Sequence, residues 1–364
     1  MSQLTQSQVE TALASYTDPY LETDLISAGA LRSVQIEGAR VDVELELDYP
    51  SEFLKGGVAQ LLQTALENID GCEQATVNIG WHVDAHKSHD GGEALAGVKN
   101  IVAVASGKGG VGKSTTTVNL ALALAKDGAK VGLLDADIYG PSQGIMLGVA
   151  DGTRPETIEG KWFVPVEAHG LKTMSMAYLV TEQTPMVWRG PMVAGALTQI
   201  LNQTQWGELD YLLIDMPPGT GDIQLTLSQK YPIAGSVIVT TPQDIALADA
   251  KKGVEMFRKV GIPVLGMIEN MSMHICSNCG HAEHIFGEHG ADRLAETYNT
   301  RVLGSLPLAK YIREQADAGT PVVAADDSSE VAMMYRHAAR RLAVALARGG
   351  EAASDMPEIE ISDD

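Results

Sequence analysis

The most specific chemical signal in this 364-residue sequence is the run G-K-G-G-V-G-K-S at residues 107–114. It follows a short apolar segment typical of a buried strand and precedes a segment with helical spacing. Its glycines let backbone N–H groups converge on a polyanion, and the helix start adds its positive dipole end. Lys113 can reach the phosphates as a point charge, and the Ser114 hydroxyl can bind Mg²⁺. The pattern predicts an ATP and Mg²⁺ site formed by Gly107, Lys108, Gly109, Gly110, Val111, Gly112, Lys113, Ser114 and Thr115.

Two acidic motifs follow apolar segments further along the chain. The first is L-L-D-A-D at residues 133–137, and the second is L-L-I-D-M-P-P-G-T-G-D at residues 212–222. Acids at strand ends of a parallel sheet face its ligand crevice, where they can hold Mg²⁺ through water or orient an attacking water. Either acid alone could cap a helix or a turn. Together with the phosphate loop they predict a nucleotide hydrolysis site.

A third signal is the pair Cys276 and Cys279 in the run C-S-N-C-G. Two thiolates at this spacing can bind one metal centre, but zinc and iron–sulfur clusters both normally need four ligands. The sequence has no second Cys-x-x-Cys, so one chain supplies half of a four-cysteine site. A rival interpretation is one zinc per chain, held by both cysteines and by some of His274, His281, His284 and His289. A structural pair or a redox dithiol is a third reading.

The elements that must position these residues follow from the hydrophobic pattern. From residue 100 onward, short and nearly continuous apolar segments alternate with helical stretches such as Ser114–Lys126 and Ile245–Val260. Strands that are apolar on both faces and separated by helices predict a mostly parallel α/β sheet covered on both sides, the P-loop NTPase arrangement. The last predicted helix is about Ser328–Arg348.

The N-terminal part has a different pattern, which predicts a small α+β unit over residues 1–83. After an N-terminal helix, strands are expected at Leu31–Ile36, Val41–Leu47 and Ala75–Trp81, with a helix capped by Ser51 before the last strand. Residues 84–98 are polar and glycine-containing, which predicts a linker to an ATPase domain over 99–349. The acidic stretch 350–364 is predicted to be disordered.

The composition restricts the class of protein. No apolar run is long enough to span a bilayer, and the N-terminus lacks the pattern of a signal peptide, so we expect a cytoplasmic protein. The formal charge is −21 and no cluster of Lys or Arg interrupts it. Such a chain repels nucleic acid phosphates and anionic lipids, so neither nucleic acid nor a membrane is an expected partner.

The early lysine of the phosphate loop carries a family resemblance. The form G-K-G-G-V-G-K-S resembles the deviant Walker A motif of the SIMIBI class, which includes MinD, ParA and the Mrp/ApbC carriers. The resemblance implies that Lys108 reaches the nucleotide of a partner chain, so that the ATP-bound state is a homodimer. It also implies that Asp215 is the Walker B acid, that Asp137 positions the attacking water and that Asn270 binds adenine.

The homodimer would complete the half-site of cysteines. Two copies of Cys276 and Cys279 that meet at a two-fold axis would bridge one [4Fe–4S] cluster between subunits. Residues 100 to about 345 resemble the Mrp/ApbC iron–sulfur cluster carriers, with D-I-Y-G-P-S at 137–142 and C-S-N-C at 276–279 separating this branch from MinD and ParA. The N-terminal unit looks like the small domain of bacterial Mrp proteins, although its stretch 48–51 lacks the cysteine that some relatives of that domain carry.

The sequence is therefore compatible with two functions. The first is an ATPase that carries an iron–sulfur cluster and delivers it to apo-proteins. The alternative is a positioning switch of the ParA/MinD kind that uses ATP and holds a structural zinc. The acidic charge weighs against DNA or membrane targeting by the alternative.

Overall fold

The computed structural model describes residues 4–86, 94–179, 190–326 and 328–349. The predicted acidic tail 350–364 lies outside these residues, and so do residues 87–93 of the predicted linker. Across the described ranges, no helix combines the length and the hydropathy that a bilayer crossing requires.

The N-terminal unit is a three-stranded sheet with two helices. Strand β4 lies in the centre, antiparallel to β3 and parallel to β5. The apolar residues that alternate along β4 are buried, which confirms the predicted half-buried strand. The elements are α1 (Gln6–Ala14), β1 (Thr17–Asp18), β2 (Thr23–Asp24), β3 (Leu31–Glu37), β4 (Arg40–Leu47), α2 (Lys55–Glu67) and β5 (Gln74–Trp81).

The predicted cap at Ser51 is wrong. Helix α2 begins at Lys55, after a turn in which the Ser51 carbonyl accepts hydrogen bonds from the N–H groups of Leu54 and Lys55. The Ser51 hydroxyl is buried and has no hydrogen-bond partner in the structure. The apolar spacing extends back to Leu54 and marks one face of the helix, but it does not locate the first turn, so the predicted start was too early.

The second part of the chain is built on an eight-stranded sheet. Its strand order is β10-β11-β7-β12-β6-β13-β14-β17, and every neighbouring pair is parallel except β10 and β11. The remaining strands are β6 (Val98–Ala105), β7 (Val131–Asp135), β8 (Thr157–Ile158), β9 (Trp162–Phe163), β10 (Val166–Ala168), β11 (Leu171–Ser175), β12 (Leu209–Asp215), β13 (Ile233–Thr240), β14 (Val264–Glu269), β15 (His274–Ile275), β16 (Ala282–Glu283), β17 (Val302–Ser305) and β18 (Leu308–Ala309).

Helices cover both faces of this sheet, which confirms the predicted mostly parallel α/β architecture. The strands at its centre are buried along their whole length, as continuous apolar segments require. Strand β6 begins at Val98, inside the segment predicted as linker. The helices are α3 (Lys113–Lys126), α4 (Gln143–Met146), α5 (Gly190–Gln203), α6 (Asp222–Lys230), α7 (Asp244–Lys259), α8 (Gly290–Thr297), α9 (Lys310–Asp317), α10 (Val322–Ala325) and α11 (Glu330–Ala347).

The N-terminal unit packs onto one face of the large sheet. One buried apolar cluster runs without interruption from this unit into helices α3 and α11. At the junction the Arg340 guanidinium donates to both carboxylate oxygens of Asp127, at 2.7 and 3.0 Å, and to the Tyr20 hydroxyl at 2.9 Å. Burial raises the pKa of Asp127, and the hydrogen bonds from Arg340 oppose that rise. Since Asp127 caps the C-terminal end of α3, this network ties the N-terminal unit to the helix that follows the predicted phosphate loop.

Candidate functional site

The predicted phosphate loop lies between the carboxyl end of β6 and the start of α3. Two of its glycines are required by close backbone approach. A Cβ at Gly107 would lie 2.1 Å from the carbonyl carbon of Asp249 in α7, and a Cβ at Gly112 would lie 2.1 Å from Asn270 Nδ2. Gly112 also has φ of 81°, in the left-handed region that glycine favours. The loop is thus held between α7 and the segment that follows β14.

The ammonium group of Lys113 lies within this site and is 6% exposed. Its Nζ lies 2.5 Å from Asp215 Oδ1 and 3.3 Å from Ser114 Oγ. The Thr117 hydroxyl donates to the same Asp215 oxygen at 3.2 Å. The structure therefore brings together the phosphate-loop lysine, the serine predicted to bind Mg²⁺ and the acid predicted as Walker B.

A second buried carboxylate lies beside Asp215. Strands β7 and β12 are neighbours and pair Asp135 with Asp215, and neither residue is exposed. Burial, and then the charge of Asp215, raise the pKa of Asp135 to about 7. Its oxygens accept hydrogen bonds from the backbone N–H groups of residues 137, 142 and 143. The sequence interpretation passed over Asp135 in favour of Asp137, although its position as the last residue of a buried strand was the available signal.

Gln143 is another site residue that the sequence did not indicate. Its Nε2 donates to Asp215 Oδ2 at 2.9 Å and to the Ser114 carbonyl at 3.0 Å. Its Oε1 is buried and has no hydrogen-bond partner among the residues that the structure describes. Because Gln143 stands at the start of α4, eight residues after β7, only the folded chain brings it to the carboxylates.

The predicted water-positioning acid and the early lysine both line the same cleft. Asp137 follows β7 and accepts a hydrogen bond from the Gly140 N–H at 3.2 Å. Lys108 lies close enough to Asp249 to contribute to the lowering of that residue's pKa, after the larger effect of Lys252. Both side chains are partly exposed, so they are accessible to a nucleotide or to a second chain.

The cleft has a volume of about 640 Å³ and extends beyond the phosphate loop. Besides the loop it is lined by apolar residues, among them Ile145, Met146, Pro307, Leu308 and Ile312. A polar phosphate end and an apolar end suit the two halves of a nucleotide. A larger cavity of about 920 Å³ lies at the opposite end of the sheet, next to the N-terminal unit, away from the phosphate loop.

The donor set of the cleft fits Mg²⁺. The ion prefers oxygen ligands in octahedral geometry and retains several waters. Ser114 lines the cleft. Lys113 and Gln143 connect Ser114 to Asp215 by hydrogen bonds, and Asp215 pairs with Asp135 on the neighbouring strand. The oxygen atoms of the serine, the two carboxylates and Gln143 therefore belong to one connected group beside the cleft. These residues can hold the ion directly or through its waters.

Asn270 lies against the phosphate loop. Its Nδ2 donates to the Val111 carbonyl at 2.8 Å, and its backbone N–H donates to the Thr240 carbonyl at 2.8 Å. The side chain lines the cleft and is nearly buried. The family resemblance implies that this amide binds adenine. The structure adds a hydrogen bond from the amide to the phosphate loop. The adenine role stays a prediction.

The cysteine pair forms the turn of a small hairpin. Strand β15 pairs antiparallel with β16 and parallel with β18, and C-S-N-C-G lies at the tip. The Cys276 N–H donates to the His281 carbonyl at 2.9 Å, and the Gly280 N–H donates to the Cys276 carbonyl at 2.9 Å. Hydrogen bonds from the backbone N–H groups of Asn278 and Cys279 lower the pKa of the Cys276 thiol. Cys276 is partly exposed and Cys279 is exposed, so both sulfurs are accessible.

Two of the four histidines of the rival zinc site have other partners. His284 Nδ1 lies 2.7 Å from the Ser272 carbonyl oxygen, and His289 Nδ1 lies 2.9 Å from Asp292 Oδ2. Within the part of the chain that the structure describes, no three His, Cys, Asp or Glu side chains come together as a metal-ligand group. Cys72, the third cysteine, is buried in the N-terminal unit after α2.

Comparison with known proteins agrees with this arrangement. A family described as NUBPL iron-transfer P-loop NTPase, within the ParA group, matches residues 97–343. A second family, described as iron-sulfur cluster assembly protein, matches residues 6–79. The two matches coincide with the large sheet and with the N-terminal unit.

Individual relatives agree as well. An iron-sulfur cluster carrier protein of Salmonella typhimurium is 50% identical over 346 residues, which cover 95% of this chain and 94% of the relative. One of Pseudomonas fragi is 65% identical over 289 residues, covering 79% of this chain and 99% of the relative.

A solved structure supports the fold of the larger part. A nucleotide-binding protein of Archaeoglobus fulgidus in complex with ADP is 39% identical and has a TM-score of 0.55. The match covers 62% of this chain and 88% of that one. With a phosphate loop, two buried strand-end acids and an exposed cysteine turn on this fold, the chain belongs to the family of NUBPL iron-transfer P-loop NTPases.

Proposed function

We propose that this protein is an ATPase that carries an iron–sulfur cluster in the cytosol and transfers it to apo-proteins. It would act as a homodimer that bridges one [4Fe–4S] cluster with Cys276 and Cys279 of both subunits. The name of the relatives, iron-sulfur cluster carrier protein, supports an iron–sulfur cluster as the cargo. The cleft at the phosphate loop supports the binding of a nucleotide. We further propose that residues 1–83 and 99–349 are two domains that are joined by a linker and packed against each other through the junction of Tyr20, Asp127 and Arg340.

The observation that carries the proposal is the cysteine turn. Two accessible thiols stand at the tip of a hairpin, with a lowered pKa at Cys276 that favours the thiolate required for metal binding. Across the described ranges no further ligand group joins them. A half-site of this kind is completed most simply by the same turn of a second chain, because a two-fold axis duplicates every ligand.

The chemistry of ATP hydrolysis would be divided among the residues of the cleft. Lys113 would exchange its contact with Asp215 for the β- and γ-phosphates, and Lys108 would reach the nucleotide of the partner chain. Mg²⁺, when bound, would neutralise part of the charge on the phosphates. Asp137 would orient a water for attack on the γ-phosphorus, so that the bond to the bridging oxygen breaks and ADP and phosphate leave.

The proposal is tested by metal content. Protein reconstituted without oxygen should bind about 4 iron and 4 sulfide per dimer, and either Cys276→Ala or Cys279→Ala should lose most of this cluster. Iron left without a thiolate ligand is open to water and oxidation. Cys72→Ala is the matched control, since it removes a thiol remote from the hairpin, and it should retain the cluster.

A zinc site would give a different result. One zinc per chain, lost in His281→Ala or His284→Ala, would support the alternative of a positioning switch with structural zinc. Cluster that survives removal of both cysteines would overturn the carrier proposal and leave the ATPase in place. ATP hydrolysis measured on the same variants separates these outcomes from unfolding.

A further inference from the structure

The segment between β14 and the cysteine turn starts at the phosphate loop. Asn270 Nδ2 donates to the carbonyl of Val111, and the terminal carbon of Met271 lies 3.8 Å from the Cβ position of Gly112. Cys276 follows Asn270 after only six residues. The root of the cysteine hairpin therefore touches the loop that would hold the phosphates.

The backbone at this root is strained. Met271 has φ of 57°, a left-handed conformation that is uncommon for a residue with a long side chain. The next residues are fixed by hydrogen bonds to the strand opposite, from the Ser272 N–H to the Leu306 carbonyl at 2.9 Å and from the Leu308 N–H to the Met273 carbonyl at 2.7 Å. Strain held in place by surrounding contacts is frequent where a structure has to switch.

The first strand of the hairpin, β15, is also joined to the nucleotide cleft along the edge that faces away from β16. Strand β15 pairs with β18, and β18 leads directly into α9, whose apolar face lines the cleft. At the end of α9 a Cβ on Gly319 would lie 2.4 Å from Gly148 Cα, so the two backbones are in contact. Gly148 follows α4, where Gln143 bonds Asp215. The first strand of the hairpin is thus attached at its start to the phosphate loop and along its edge to a strand that leads into the lining of the cleft.

We infer that Asn270 is a positioning residue that couples occupancy of the phosphate loop to the conformation of the Cys276–Cys279 turn. A nucleotide that draws the N–H groups of the loop towards its phosphates also displaces the Val111 carbonyl. The Asn270 amide follows that carbonyl, and the hairpin root follows Asn270. The inference deepens the proposed function by stating how ATP and ADP would alter the cargo site.

Thermodynamics requires the coupling to be reciprocal. If nucleotide changes the affinity of the thiols for a metal, then the bound metal changes the affinity for nucleotide by the same factor. Couplings of this kind typically amount to about 5- to 150-fold. An effect of this size is measurable on the thiols themselves, without any cluster.

The test is the rate at which a maleimide alkylates Cys276 and Cys279 in the full-length chain. A Cys72→Ala background removes the buried thiol from the signal. We expect a saturating non-hydrolysable ATP analogue with Mg²⁺ to change this rate by about 5-fold or more. In Asn270→Asp, which keeps the shape of the side chain but lacks the N–H donor, the ratio of the rates with and without nucleotide should fall below about 2-fold.

The matched control is Asn100→Asp. Asn100 is a buried amide of the same sheet that also donates to backbone carbonyls, those of Asp84 and Asp210, far from the cysteines. Its nucleotide response should be that of the parent. If Asn270→Asp does not fold, Asn270→Ser replaces it, because serine is too short to reach Val111.

Two results would overturn the inference. One is a parent protein whose thiols react at the same rate with and without nucleotide. The other is an Asn270→Asp response that equals the parent's once nucleotide saturates, since a residue that contacts only adenine changes the affinity and not the saturated response. Neither result depends on cluster content, so failure here is distinguishable from failure of the carrier proposal.

Discussion

The Lys113–Asp215 pair leads to a prediction about stability as well as activity. Asp215 is fully buried, and Lys113 supplies its one charged contact among the hydrogen bonds described for it. Lys113→Met removes that contact and leaves only the neutral donors Thr117 and Gln143. Loss of one partner from a buried ion pair typically costs about 3–5 kcal/mol.

Proton uptake by Asp215 limits the loss of stability that this substitution can cause. A buried carboxylate that loses its partner can take up a proton instead, and for an ordinary aspartate at pH 7 this costs about 4 kcal/mol, since each pKa unit is worth about 1.4 kcal/mol. We therefore expect Lys113→Met to lower the free energy of unfolding by about 3–4 kcal/mol. The variant should also lose ATP hydrolysis, because the phosphates lose a buried positive charge.

The assay is urea denaturation at pH 7 on three proteins: the parent, Lys113→Met, and Lys113→Met combined with Asp215→Asn. In the double variant the charge that was left unpaired is gone, so about half or more of the lost stability should return while hydrolysis stays absent. A single variant within about 1 kcal/mol of the parent, or a double variant no more stable than the single, would refute the reasoning.

Two further predictions concern the other acids and the early lysine. The pKa of Asp135 is raised to about 7 in the folded state, so the folded protein binds more protons than the unfolded chain between about pH 4 and 7 and its stability falls as pH rises through this range. Asp135→Asn should lose this decline, so its free energy of unfolding should rise relative to that of the parent between pH 5 and pH 8. Urea denaturation of both proteins at the two pH values measures this difference. The same difference between the two proteins at both pH values would contradict the prediction. If Lys108 acts on the partner's nucleotide, mixing inactive Lys108→Ala and Asp137→Ala chains should restore about a quarter of parental hydrolysis, because half of randomly formed dimers are mixed and each has one complete site. Mixed dimers demonstrated by mass and yet inactive would remove the trans role.

The phosphate site could be predicted from the sequence because its chemistry is contiguous. Residues 107–114 contain the glycines, the lysine and the serine within eight positions, and the preceding strand and following helix are visible in the apolar spacing. Asp215 was recognised as an acid at the end of an apolar segment, and the family resemblance supplied its role. Cys276 and Cys279 needed only their separation to be recognised.

The rest depends on contacts between distant parts of the chain. Gln143 reaches Asp215 across 72 residues and Asn270 reaches Val111 across 159, and neither pairing leaves a local pattern. The start of α2 was mispredicted because apolar spacing marked its face but did not locate its first turn. The junction of Arg340 with Asp127 and Tyr20 was missed because two adjacent arginines, Arg340 and Arg341, on a predicted helix are typical of a solvated face.

That junction has a consequence for the order in which the molecule is built. Tyr20 and Arg340 are 320 residues apart, and a ribosome that adds about 5–20 residues per second needs roughly 16–64 s to proceed from one to the other. During this time the N-terminal unit is already outside, while Asp127 at the end of α3 still lacks its arginine. A nascent chain that stops before Arg340 therefore lacks the contact that fixes the far end of α3, and the support of the proposed nucleotide site is completed only after Arg340 has been synthesised.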